Sequence, residues 1–205
     1  MIRWGIAGPG GIAARFARAM TLVDDGRIVA VASRSAQRAA AFADQFDIAG
    51  RYDDYRALGE DPDVDAVYVA TPHARHEADT LLYLAAGKHV LCEKPMALNA
   101  AQVRRMVDAA AASGTFLMEA VWSRFLPSYR ALVDVVGSGR IGTPLQVEGT
   151  FGFRRPVDPT HRLFDLAQGG GALLDLGIYP IQLSTLVLGP IAQVAGSGVL
   201  GATGV

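Results

Sequence analysis

The stretch Ile2-Arg3-Trp4-Gly5-Ile6-Ala7-Gly8-Pro9-Gly10-Gly11-Ile12-Ala13 decides the fold of this 205-residue chain. Residues 2–7 form a short apolar run, compatible with a buried parallel strand. The run passes into G-x-G-x-x-A, the alanine-ended form of a dinucleotide-binding turn. Glycines there let the backbone turn tightly and approach a pyrophosphate. The helix that follows, residues 12–22, offers its N-terminal N–H groups and dipole to the phosphates. Gly-rich turns are common, so the context carries the reading: strand before, helix after, and a second strand at 28–32. Gly8, Gly10, Gly11 and Ile12 are therefore candidate cofactor contacts, set against the plainer reading of a structural turn.

The second strand runs into Ser33-Arg34-Ser35, with Arg38 one helical turn further on. An NAD-selective site usually carries Asp or Glu here, to bind the ribose 2′-OH. A hydroxyl and guanidinium groups suit a 2′-phosphate instead, which a carboxylate would repel. Ser33, Arg34 and Arg38 thus favour NADP over NAD. The plainer reading is that residues 33–35 cap the helix at 36–46, and both roles are compatible.

The strand–helix alternation continues. Residues 51–58 read as a connector and a short helix. The apolar run 66–70 ends in Thr71-Pro72-His73, and the helix 75–86 is closed by Gly87. A buried strand at 89–92 then stops on Glu93-Lys94-Pro95. This puts two ionisable groups at the carboxyl edge of a sheet, where ligands bind in open α/β folds, with a proline to fix the turn. The bland alternative is an exposed ion pair of little energetic consequence. A helix at 99–112, N-capped by Asn99, and a strand at 115–119 complete an N-terminal Rossmann doubly wound parallel sheet spanning 1–120.

After Ala120 the pattern changes. A mixed helix at 122–136, an alternating strand at 146–153 and another strand at 193–200 predict an incomplete α+β domain, 121–205, with an open, mainly antiparallel sheet. Between those strands, Gly169-Gly170-Gly171 precedes a core helix at 172–188. Asp175 and Tyr179 stand at i and i+4 on it and share one face, with Gln182 one turn on. A polar stripe on an otherwise apolar helix costs energy unless partnered. The glycines before it would let something approach closely.

Bulk composition excludes several classes. A net charge of −1 and the lack of a basic stripe argue against nucleic acid and anionic membranes. A single cysteine, Cys92, excludes an internal disulfide framework and fits a reducing, cytoplasmic compartment. The N-terminus lacks the pattern of a signal peptide. No uninterrupted run reaches the ~18 apolar residues of a membrane helix. His73 and His76 are three residues apart and His161 is distant, so they are read as cofactor contacts or surface histidines, and no metal site is expected.

Three motifs in this order and spacing resemble the glucose–fructose oxidoreductase and inositol dehydrogenase (Gfo/Idh/MocA) family. They are residues 8–13, the Glu93-Lys94-Pro95 triplet, and Gly169-Gly170-Gly171-Ala172-Leu173-Leu174-Asp175-Leu176-Gly177-Ile178-Tyr179-Pro180. Trp122-Ser123-Arg124-Phe125 and Thr71-Pro72-His73 are similar to the branch that holds dihydrodiol and NADP-dependent D-xylose dehydrogenases. The resemblance implies a Rossmann domain followed by an open sheet domain that pairs into dimers or tetramers. It implies Lys94 beside a nicotinamide, a cis bond before Pro95, a substrate-holding Asp175, and Tyr179 as acid/base. Thr71, Pro72, His73, His76, Glu93, Trp122 and Arg124 would join the cofactor site. Family members run to well over three hundred residues, so the chain is read as a fragment with unpaired sheet edges.

The expected activity is an NADP-dependent hydride transfer involving the carbinol of a sugar, such as an aldopyranose, or of a cyclic trans-diol. A free phenol titrates near pH 10, and the charge of Lys94 is expected to favour phenolate at Tyr179. The alternatives are a non-catalytic NADP-binding regulator, or a lyase or glycosidase that oxidises its substrate transiently.

Overall fold

Apolar runs alternate with amphipathic stretches through Met1–Ala120, and the runs become strands: β1 (Ile2–Ala7), β2 (Gly26–Ala32), β3 (Gly50–Tyr52), β4 (Ala66–Val69), β5 (His89–Cys92) and β6 (Leu117–Glu119). The helices between them are α1 (Gly11–Met20), α2 (Ala36–Phe46), α3 (Tyr55–Glu60), α4 (His76–Ala85) and α5 (Ala100–Ser113). The computed structural model describes all residues from Met1 to Val205, and the chain divides into two units, Met1–Ala120 and Val121–Val205.

In the first unit the strands lie parallel in the order β3-β2-β1-β4-β5-β6. Strand periodicity of two divides the apolar side chains between two cores. Ala7, Ala32, Val67, Val69, Val90 and Cys92 pack with Leu58, Tyr83, Leu84 and Met106, which come from α3, α4 and α5. Ile6, Val31 and Tyr68 point the other way, onto Ala13, Ala17, Phe42 and Ala43 of α1 and α2. Helices therefore cover both faces, as an all-parallel sheet requires. Each large aliphatic side chain buried in these layers contributes about 1.5–3 kcal/mol.

Local chemistry sets the helix ends. Ser35 accepts from the Arg38 N–H and Asn99 from the Gln102 N–H, each closing an otherwise unpaired donor. Asp54 caps α3 in the same way. The region expected to be a connector contributes β3, which pairs with β2 from Ala30↔Gly50 to Ala32↔Tyr52. It is three residues long, too short for a periodicity signal.

The second unit departs from expectation. It contains a 3₁₀ turn (Trp122–Phe125), α6 (Pro127–Gly137), two further 3₁₀ turns (Arg162–Phe164 and Leu166–Gln168), a π turn (Leu173–Gly177) and α7 (Ile178–Leu188). The strands expected at 146–153 and 193–200 are not formed, and these segments carry no regular structure. An alternating pattern specifies a face, but a strand also needs a neighbour for its N–H and C=O groups, and no ladder pairs with either segment here. The expected core helix is also uncovered in part: Leu173, Ile181 and Leu188 are exposed, while Asp175 and Gln182 are buried. Leu166–Leu188 is long and apolar enough to cross a membrane by length and composition alone. The buried carboxylate and amide in its middle argue for a helix that faces protein.

Candidate functional site

The carboxyl ends of β1, β2, β4 and β5 meet at one edge of the first unit, around the point where β1 is flanked by β2 on one side and β4 on the other. Crevices at such switch points hold ligands. Gly8 follows β1 with a φ of +93°, and a Cβ there would lie 2.9 Å from the Ala70 carbonyl oxygen, so the turn requires glycine. At Gly10 and Gly11 an added Cβ would meet nothing within 4 Å, so the space ahead of α1 is open. No side chain caps α1 and no acidic residue occupies its first turn. Its positive end and N–H groups face that space, and these features fit a dinucleotide pyrophosphate.

The ribose-recognition candidates follow β2. Ser33 is buried and its hydroxyl accepts from the Ser35 N–H at 3.2 Å. Arg34 is exposed. Arg38 reaches from α2 to the glycine turn and donates to the Pro9 carbonyl at 3.0 Å. Burial raises the Tyr55 phenol and the Asp79 carboxylate adds to the effect, while the Arg34, Arg75 and Arg38 guanidinium groups oppose it. Three cations therefore act on one phenol at this edge.

At the ends of β4 and β5 the polar groups are organised from beneath. The Thr71 hydroxyl donates to Asp79 at 2.8 Å, and Arg75 pairs with the same fully buried carboxylate. The Tyr68 phenol donates to Glu93, whose other carboxylate oxygen accepts the Lys94 backbone N–H at 3.0 Å. Glu119 at the end of β6 accepts the Met96 N–H at 2.7 Å. The Lys94–Pro95 bond is cis, as the resemblance implied. The half-buried Lys94 thus leaves a turn fixed on both sides. Cys92, just below, has its thiol pushed up to about 12 by burial and is unsuited to nucleophilic work.

His73 and His76 are not surface histidines: both are buried, and His76 is fully so. Its ring nitrogens lie 2.8 Å from the Pro95 carbonyl and 2.9 Å from the Thr71 carbonyl, so the residue sits under the edge rather than on it.

The second unit gathers its own polar cluster. The Trp122 indole N–H donates to the Tyr179 phenol oxygen at 2.9 Å, and Phe151 packs edge-on against the Tyr179 ring with centroids 5.2 Å apart. Asp175 is buried, with both terminal nitrogens of Arg162 3.4 Å from one of its oxygens. What the glycine triplet admits is the chain itself. A Cβ at Gly170 would fall 2.8–2.9 Å from the carbonyl oxygens of Arg162, Leu163 and Asp165. Hydrogen bonds from Gly170 N–H to Asp165 and from Gly171 N–H to Leu163 lock that turn against the start of the helix, which delivers Arg162 to Asp175. Gln182, on the same helix, donates to the Ser123 hydroxyl at 3.4 Å. Arg124 lines a shallow groove with Tyr129, Arg130, Val133, Asp134 and Leu186.

Sequence reasoning missed Tyr68, Asp79, Glu119 and Arg162. Tyr68 is hidden inside an apolar strand, and Glu119 closes a strand of three residues. Arg162 lies in irregular chain, where no periodicity flags a face. Asp79 had a signal, an acid in the first turn of a helix with Arg75 four residues before it.

An oxidoreductase family model described as an NAD-binding Rossmann fold matches residues 2–121, and a GFO/IDH/MocA C-terminal domain model matches residues 129–203. Trans-1,2-dihydrobenzene-1,2-diol dehydrogenase of Bos taurus is 45% identical over 190 residues, 92% of this chain and 56% of the relative, and that of Homo sapiens is 43% identical over the same shares. The chain therefore spans about half the length of the curated relatives it matches. Among solved structures, the 3-ketoreductase KijD10 from Actinomadura kijaniata, in complex with NADP and TDP-benzene, superposes with a TM-score of 0.79 at 35% identity, covering 92% of this chain and 57% of that one. Aldose-aldose oxidoreductase from Caulobacter crescentus, complexed with glycerol, gives 0.80 at 28% identity over 92% and 58%. With one match spanning the six-stranded unit and the other most of the remainder, the chain belongs to the Gfo/Idh/MocA oxidoreductase family, and its first unit is an NAD(P)-binding Rossmann domain.

Proposed function

We propose that the protein to which this chain corresponds is an NADP-dependent dehydrogenase acting on the CH–OH group of a sugar or cyclic trans-diol. The observation that carries the reading is Tyr179 hydrogen-bonded to Trp122 on the helix that holds a buried Asp175, in a chain whose Rossmann edge presents Lys94. Gly8, Gly10, Gly11 and Ile12 would hold the pyrophosphate. Ser33, Arg34 and Arg38 would hold the 2′-phosphate, and the 71–73 and 93–94 edges would border the nicotinamide end, with Trp122 and Arg124 as further contacts. The resemblance also supports these assignments.

When bound, the cofactor accepts or returns the hydride. Tyr179 Oη takes the carbinol proton in oxidation and gives it back in reduction. The indole N–H can only donate, so the Tyr179 oxygen is the acceptor in that bond, which suits an oxygen that carries negative charge when its proton is away. Asp175 accepts from a substrate hydroxyl, and Arg162 keeps its carboxylate oriented. Lys94 supplies positive charge where the substrate oxygen becomes anionic. The names of the similar proteins, a dihydrodiol dehydrogenase and an aldose-aldose oxidoreductase, support the diol and sugar classes. The family resemblance implies that the whole protein pairs into dimers or tetramers, and the single cysteine fits a reducing, cytoplasmic compartment.

The test is absorbance of the reduced cofactor with NADP, then NAD, across a panel of aldoses and cyclic diols. Turnover with NADP on at least one compound is expected. Tight NADP binding without turnover on any compound would instead support a regulator. Product without net cofactor reduction would support a lyase or glycosidase that oxidises transiently.

A further inference from the structure

The two ring nitrogens of His76 each face a backbone carbonyl at short range, Nδ1 to Pro95 at 2.8 Å and Nε2 to Thr71 at 2.9 Å. Carbonyl oxygens only accept, and a neutral imidazole has one N–H and one bare nitrogen. In either tautomer one of these contacts would set a nitrogen lone pair against an oxygen lone pair. The residue is fully buried, so no solvent relieves that opposition. An imidazolium donates to both oxygens. Desolvation works against the charge, and two short carbonyl acceptors work for it.

We propose that His76 is a positioning residue for Lys94: protonated on both ring nitrogens, it staples the turn after β4 to the turn after β5. Lys94 is then held from both sides, by Glu93 on its own N–H and by His76 on the carbonyl of the next residue. The ionisable groups on the neighbouring segments are His73, with its ring centroid 5.6 Å away, Arg75, Glu77 (paired with Arg105) and Asp79 on the turn and helix that carry His76, Glu93 and Lys94 in the facing turn, and Glu119 at the end of β6. Two of these, Asp79 and Glu93, are buried carboxylates, the first paired with Arg75. On α5, which packs against α4, the charged side chains Arg104, Arg105 and Asp108 are exposed. The role given to Lys94 rests on the dehydrogenase reading; the staple itself does not.

The deciding experiment is a nitrogen–proton correlation spectrum of the imidazoles in the full chain at neutral pH. The chain has four histidines, so His76 is assigned by elimination with His73→Gln, His89→Gln and His161→Gln. Protons on both ring nitrogens of His76 are expected. One protonated and one bare nitrogen would overturn the staple. His76→Gln, which cannot donate to both carbonyls from one planar ring, should lower kcat about tenfold to a hundredfold, the range for a misplacement of about 1 Å, with the Kd for NADP within threefold. A lowered melting temperature with unchanged kcat would overturn the positioning role. If this variant does not fold, the native spectrum decides alone. If the whole native protein turns over nothing, the dehydrogenase reading falls while the spectrum still judges the staple.

Discussion

The two units of this chain answer to different physics. In Met1–Ala120 every strand lies beside the neighbours it pairs with, and both sheet faces are covered by helices of the same unit. In Val121–Val205 an apolar helix and two irregular segments expose Leu173, Ile181, Leu188, Phe151, Phe153, Val194, Val199 and Leu200. The first unit is held by its own core. The second is ordered locally, by capped turns, a glycine-locked loop and the polar cluster around Tyr179 and Asp175. The difference shows that a hydrophobic pattern states a demand for burial without guaranteeing that the same segment supplies it.

Core truncations should break the symmetry between the units most clearly. Leu84→Ala removes a fully buried side chain from the first core and should cost about 2–5 kcal/mol. Ile181→Ala removes a side chain that is 44% exposed and should cost about 0.5 kcal/mol or less. Denaturant unfolding of each variant checks both. Similar losses at the two positions would mean that α7 is packed as tightly as α4.

The next effect separates the phosphate-binding role of the first unit from its stability. Arg34→Ala should weaken NADP about tenfold to a hundredfold, the range for loss of a charge-assisted contact. NAD affinity should change less than about threefold, and an unchanged preference in titrations would remove Arg34 from the 2′-phosphate site.

A smaller effect concerns the ion pair that ties β1 to the residue preceding β4. Arg3 donates to both oxygens of Asp65, at 3.1 and 2.7 Å, and holds that carboxyl down at about 2. Because the folded value lies below the ordinary one, the pair stabilises the fold above about pH 4 and loses that contribution as pH falls through about 2. The Asp65 side chain is 37% exposed, so solvent screening limits the contribution to about 1 kcal/mol or less. Asp65→Asn should lower stability by that amount at pH 7 and flatten the acid limb of the unfolding curve. An unchanged acid limb would show the pair to be energetically silent.

Much of this architecture could be read from sequence where local rules and global packing agree. The glycine turn, the caps at Ser35 and Asn99, and the stop at Glu93-Lys94-Pro95 each follow from residue chemistry within a few positions. Where partners are distant in sequence, the pattern was silent. Arg162 meets Asp175 only because glycines let an irregular turn dock on the helix, and His76 reads as a surface residue until two turns close over it. The strands expected at 146–153 and 193–200 failed for the converse reason: the apolar pattern is encoded, but the ladders are not present.

The most direct test of the central claim is Tyr179→Phe, which removes the proton-carrying oxygen and keeps the ring against Phe151. Turnover with NADP should fall at least about a hundredfold, in the range for loss of a general acid–base group, while the Kd for NADP stays within about twofold. Turnover equal to that of the native protein would contradict the assignment of Tyr179 as the acid/base.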